Sequence, residues 1–118
     1  LPDSAIFKVA DLLIDNRYDV RLSAMRAITE ITKKQKFPDL ILNKLTNALE
    51  DNHLAPDILM LIGEIAHKQE LPKSIVSQVV SLLNNKASPD LVFAIGEIGR
   101  RHELPKSAID KVANLLSD

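Results

Sequence analysis

The sequence has no cysteine and no tryptophan, and only one tyrosine and three phenylalanines. Without cysteine there is no disulfide framework, no thiolate metal site and no cysteine nucleophile, and nothing points to an oxidising compartment. A cytoplasmic setting is the expectation. So few aromatics argue against the stacking platforms that single-stranded nucleic acid needs. No apolar run approaches the ~20 residues of a membrane-spanning helix, and nothing resembles a signal peptide, so no membrane partner is expected. An excess of charge of one sign is missing too. Fifteen basic residues face sixteen acidic ones, and a net charge of −1 gives no global pull toward nucleic acid or anionic lipid. Gly-x-Ser-x-Gly elbows and phosphate-cradling glycine loops are also absent.

What the 118 residues do contain is apolar aliphatics, with hydrophobic residues at 46% and charged ones at 26%, the balance of one globular domain. A core of Ile, Leu, Val and Ala suits helix-on-helix packing. An internal repeat organises them. Leu1-Pro2, Phe37-Pro38, Leu71-Pro72 and Leu104-Pro105 open units 1–36, 37–70, 71–103 and a half unit 104–118. The fifteen-residue openings align without a gap, and the first and fourth agree at 11 of 15 positions. The second unit is the acidic one, with two basic residues against six acidic. The chain starts and stops on unit boundaries and does not begin with Met, so a piece of a longer protein is expected.

Each unit reads as two amphipathic helices. In the first helix of unit one, Ile6, Val9, Ala10 and Leu13 fall at i, i+3, i+4 and i+7, the mark of one buried face. Leu42, Leu45 and Leu49 repeat that stripe, then Val76, Val79, Val80 and Leu83, then Ile109, Val112, Ala113 and Leu116. The second helix of unit one carries Val20, Ala24, Ala27, Ile28 and Ile31, with Asp19 as the expected N-cap. Ser88-Pro89-Asp90 gives a strong start in unit three, and Ala55-Pro56-Asp57 a weaker one in unit two. Shorter connections predict that the later second helices begin about a turn later. Gly63, Gly96 and Gly99 all fall inside second helices, where Gly costs roughly 1 kcal/mol relative to Ala, so close approach of a neighbouring helix is expected there. A lone helix of this length is marginal in water, and each unit must bury its stripes against its partner helix and the next unit.

These residues resemble HEAT repeats of the short prokaryotic HEAT-like type, an armadillo-type α-solenoid. The likeness rests on Asp19-Val20-Arg21 followed by Ala24, Ala27, Ile28 and Ile31, and on Ile62-Gly63-Glu64-Ile65 and Ile95-Gly96-Glu97-Ile98. Units two and three lack the Asp-Val-Arg triplet, which puts any polar ladder built from it in question. The resemblance implies an all-α, right-handed α-solenoid of about three and a half helix-pair repeats, seven helices in all. First helices would lie on the outer face and second helices on the inner. It further implies scaffolding and protein-protein recognition, usually along the second helices. Some HEAT-like proteins are lyases or glycosylases, which leaves a HEAT-like lyase or accessory subunit as an alternative.

Aligned on Ile28, Ile62 and Ile95, the second helices turn Arg26, Glu30 and Lys33, then Met60, Glu64 and His67, then Phe93, Glu97 and Arg100 away from the buried stripe. Outward Met60 and Phe93 are what a partner-binding patch uses, or they fill space beside a neighbour. The expected partner surface is Arg26, Glu30, Met60, Glu64, Phe93 and Glu97. Glu30–Lys34, Glu64–Lys68 and Glu97–Arg101 are spaced for i,i+4 ion pairs on a solvated face. Lys33, Lys34, Lys68, Arg100 and Arg101 form a basic ridge at the helix C-termini, complementing the helix dipoles or holding phosphate or nucleic acid. Glu64 and His67 have the Glu-x-x-His spacing of di-iron bundles, but Arg100 stands where the second copy needs His, so no metal is expected. His53 and His102 are read as solvated. The sequence thus predicts a non-enzymatic protein-protein interaction module, without cofactor, with self-association through uncapped terminal repeats as a further expectation. The last helix, 106–116, should leave its far face exposed, or buried by crystal or dimer contacts.

Overall fold

The computed structural model of the protein describes residues 2–50, 54–84 and 88–116. Among them are seven α-helices and no strand: α1 (Asp3–Asp11), α2 (Tyr18–Lys34), α3 (Asp39–Asn47), α4 (Ala55–Lys68), α5 (Lys73–Ser81), α6 (Pro89–Gly99) and α7 (Lys106–Leu116). Short 3₁₀ turns, Leu12–Ile14, Ala48–Glu50 and Leu82–Asn84, extend α1, α3 and α5. None of these helices is long and apolar enough to cross a membrane.

The repeat is visible in the backbone hydrogen bonds. Pro2, Pro38, Pro72 and Pro105 each stand just before a first helix, and each carbonyl accepts the amides three and four residues on, at 3.0–3.2 Å. Proline serves here because it has no N–H to leave unsatisfied, while its carbonyl still opens the helical ladder. The second helices start ten residues before Ile28, seven before Ile62 and six before Ile95, so the later two do begin about a turn later. Ser88 caps α6 as expected, its Oγ accepting the Leu91 amide at 3.2 Å. Asp19 does not cap α2. That helix begins at Tyr18 without a side-chain cap, and the Asp19 carboxylate takes only the adjacent Val20 amide. The connection is held one turn earlier, where Asp15 accepts the Arg17 amide at 2.8 Å and the Arg17 guanidinium at 3.0 and 3.1 Å. These charge-assisted bonds, the side-chain one first, hold the Asp15 carboxyl down to about 2.

α2, α4 and α6 neighbour one another in series, and α1, α3 and α5 do the same alongside them. Crosswise contacts join α1 to α2, α3 to α4 and α5 to α6. The molecule measures 40 × 27 × 19 Å, its thinnest dimension about two helix diameters. α4 is the most covered element, with Ile58, Leu59, Leu61, Ile62, Gly63, Ile65 and Ala66 buried, because it has second helices on both sides. The alignment frame holds, since Ile28, Ile62 and Ile95 are all buried.

Units two and three are each also closed on themselves by a polar side chain that follows the second helix. Buried Gln69, just after α4, accepts the Phe37 amide through Oε1 at 2.6 Å and donates through Nε2 to the Phe37 carbonyl at 3.0 Å. The residue that follows the second helix thereby grips the first residue of its own unit. His102 occupies the corresponding place in unit three, where its Nε2 accepts the Leu71 amide at 3.2 Å. His102 is therefore not a solvated histidine, because a buried N–H at Leu71 requires an acceptor. His53 lies outside the described residues. A buried group left without its partner costs about 1–3 kcal/mol. Gln69→Leu, which strands both polar groups of Phe37, should lower unfolding stability by at least about 2 kcal/mol in urea titrations. His102→Leu should cost less, and His102→Gln, importing the residue of unit two, should be close to neutral.

Candidate interaction surface

Two buried flanks leave only a narrow outward strip on α4, since α2 and α6 cover its sides. Met60 lies on that strip and is 46% exposed. Phe93 on α6 is 41% exposed, but its ring also lies on Gly63. A Cβ at Gly63 would stand 2.5 Å from Phe93 Cε2, 2.8 Å from Cδ2 and 3.4 Å from Ala94 Cα. Glycine is needed there so that α6 can approach, which matches the expectation of a close helix neighbour. Gly99 meets Leu104 at 3.2 Å from such a Cβ. Gly96 departs from the expectation, because nothing lies within 4 Å of it. It occupies on α6 the register position of Gly63 on α4, but no helix packs over it.

The expected glutamates are not equivalent. Glu30 is exposed (68% of its side chain), Glu64 is half-buried, and only 15% of the Glu97 side chain is exposed. Glu97 faces the preceding second helix, whereas Glu30 on α2 points to solvent. Glu97 lies 2.8 Å from His67 Nδ1 across the α4–α6 seam and 3.6 Å from Arg100 Nε on its own helix. Since an ionised carboxylate only accepts, Nδ1 carries the proton in that pair. His67 therefore turns to Glu97, not to Glu64. Among the described residues no three His, Asp or Glu side chains gather in a way that would hold a metal ion.

The i,i+4 ion pairs are corrected. Glu30 bonds Lys33 at 3.0 Å rather than Lys34, no Glu64–Lys68 pair forms, and Glu97 pairs with Arg100 and His67 rather than Arg101. Arg101 reaches instead across the seam, donating through Nε to the Ala66 carbonyl at 3.0 Å and through Nη2 to the His67 carbonyl at 2.9 Å. The final carbonyls of α4 have no intrahelical donor and carry the negative end of its dipole, and a guanidinium satisfies two of them at once. Arg101 is thus engaged as a cap on its neighbour and is not offered to a phosphate. Lys33, Lys34, Lys68 and Arg100 remain exposed.

Arg21, from the Asp-Val-Arg triplet, has a similar duty. Its Nη1 donates to the Asp15 and Asn16 carbonyls at 2.9 and 3.1 Å, its guanidinium stands 5.6 Å from the Tyr18 ring centre, and Nε lies 3.9 Å from Asp57 Oδ2 on α4. Ala55 and Ser88 hold the matching positions in the later units, so a ladder of this kind is one rung long. Arg26 is exposed on α2. Three apolar side chains outside the expected set, Tyr18, Leu40 and Ile109, are more exposed than either Met60 or Phe93.

The glycine contacts give a paired prediction. Gly96→Ala gains helix propensity in open space and should stabilise by about 0.5–1 kcal/mol. Gly63→Ala, forced against Phe93, should destabilise by about 1–3 kcal/mol, and Phe93→Ala in the same chain should recover most of that loss in a double-mutant cycle. No family model matches the chain, and no curated protein or solved structure matches it significantly, so a functional reading rests on these residues alone.

Proposed function

We propose that the paired helices are a stretch of HEAT-like α-solenoid, and that the chain is a non-catalytic module that binds a protein partner along the second helices. The order of helix contacts, second helix to second helix and first to first, supports the solenoid part of this reading. One observation carries the binding part. Met60 and Phe93, apolar and 46% and 41% exposed, occupy equivalent register positions on adjacent helices, with Arg26 and Glu30 continuing the same strip on α2. An apolar pair flanked by charges is the composition of an interface centre with a polar rim. Glu97 enters this reading as the residue that orients His67 at the edge of the strip, while Glu64 is half-buried on α4.

The binding surface is tested by placing a photo-crosslinking residue at position 60, on the strip, or at position 77, on the exposed side of α5. Position 60 is expected to trap one defined protein, and Met60→Asp should weaken capture of that protein at least about tenfold by leaving a charge against an apolar contact. Equal trapping from both positions, or capture indifferent to Met60→Asp, contradicts the assignment.

A further inference from the structure

The two ends of the helix series are complementary in register and charge. Within the chain, the α4–α6 seam is the more closely packed of the two junctions between second helices, and the α2–α4 junction does not repeat its polar contacts. Phe93 covers Gly63, Glu97 meets His67, and Arg101 caps the carbonyls of Ala66 and His67. On α6 the corresponding receiving positions are Gly96, Arg100, and the carbonyls of Gly99 and Arg100. Gly96 has open space, and the Arg100 side chain is 65% exposed. On α2 the corresponding donating positions are Arg26, Glu30 and Lys34, all exposed. Superposing the seam's register on the two ends brings Glu30 to Arg100, and Lys34 to the C-terminal carbonyls of α6.

The receiving end is also apolar. Ile95, Gly96, Gly99 and Leu104 with Ile109 and Val112 line an open groove of about 440 Å³ between α6 and α7. Ile109 is 51% exposed, whereas its counterparts Ile6, Leu42 and Val76 are buried. That exposure fits the expectation for the last helix. Each of those counterparts belongs to a first helix that contacts the second helix of its own unit.

We propose that this groove receives α2 of a second copy of the chain, with α7 taking the place of that copy's α1. The sequence of α7 is what selects this occupant. Over the fifteen-residue openings α7 repeats α1 at 11 positions, including Ile6/Ile109, Val9/Val112 and Ala10/Ala113 on the stripe that α1 turns inward. α7 therefore offers α2 the face that α2 already covers in its own chain. α1 and α7 would occupy the same position against the docked α2, so one must leave, and exchange follows from that steric conflict. Such an interface is heterologous, using two different patches, and it propagates into open chains of copies instead of closing as a dimer. It goes beyond the partner surface proposed above and uses the ends of the helix series.

Sedimentation velocity of the full chain up to about 1 mM tests the proposal, since association follows mass action. Concentration-dependent dimers and longer species are expected. Ile109→Glu, at a site exposed in the single copy, should weaken association at least about tenfold, because it buries an unpaired charge in the groove. Glu30→Arg and Arg100→Glu should each weaken it a few-fold, and the double variant should restore it. A Phe7→Trp reporter on α1, in a chain with no other tryptophan, should shift its emission to the red as oligomers form. A chain that stays monomeric, a closed dimer indifferent to Glu30, a charge reversal that does not rescue, or an unshifted reporter in the oligomer would each overturn the proposal.

Discussion

The close approach of α6 to α4 through Gly63 is the contact on which the rest of the structure depends. Without a Cβ at that position the Phe93 ring can lie on the α4 backbone, and Ala94 comes within van der Waals reach. The approach then brings Glu97 to His67 and Arg101 to the ends of the α4 ladder. Three polar or charged contacts thus follow from one missing methyl group. Gly in a helix interior sacrifices about 1 kcal/mol of propensity, and the seam returns it as packing and capped carbonyls.

A second constraint acts within units two and three. Helix pairs joined by short turns must fix the angle at which the chain leaves one unit and enters the next. Gln69 does so for unit two by bonding both backbone groups of Phe37, and His102 holds Leu71 in unit three with a single bond. These side chains lie where a buried backbone N–H would otherwise be unsatisfied, so their polarity is demanded by the fold. The cross-unit contacts of Arg21 and Arg101 complete the picture. Long cationic side chains satisfy carbonyls at turns and helix ends, while Met60, Phe93, Arg26 and Glu30 stay exposed along the second helices.

Much of this was legible in the sequence. The Leu-Pro and Phe-Pro openings marked the first-helix starts, and the 3.6-residue stripes identified Ile28, Ile62 and Ile95 as buried. Ser88 was readable as a cap because capping is local chemistry. The glutamates were harder. A helical wheel distinguishes buried from outward, but it does not say that a helix has a neighbour on each flank, and Glu97 belongs to the flank. Arg101 has the spacing of an i,i+4 partner for Glu97, yet the carbonyls of an adjacent helix compete for it, and nothing local records their presence. Gln69 and His102 stand in one column of the alignment, just before Glu-Leu-Pro, and that recurrence was a signal. Its meaning needed the burial of Phe37 and Leu71.

The central claim is that the helices are held in series, with α4 covered on both sides and the last helix covered on one. Native-state hydrogen exchange, read helix by helix, tests it most directly. Protection is expected to be greatest in α4, lower in α2 and α6, and lowest in α7, which keeps Ile109 and Leu115 exposed. Equal protection across all seven helices, or protection of α7 that matches α4, would contradict the account.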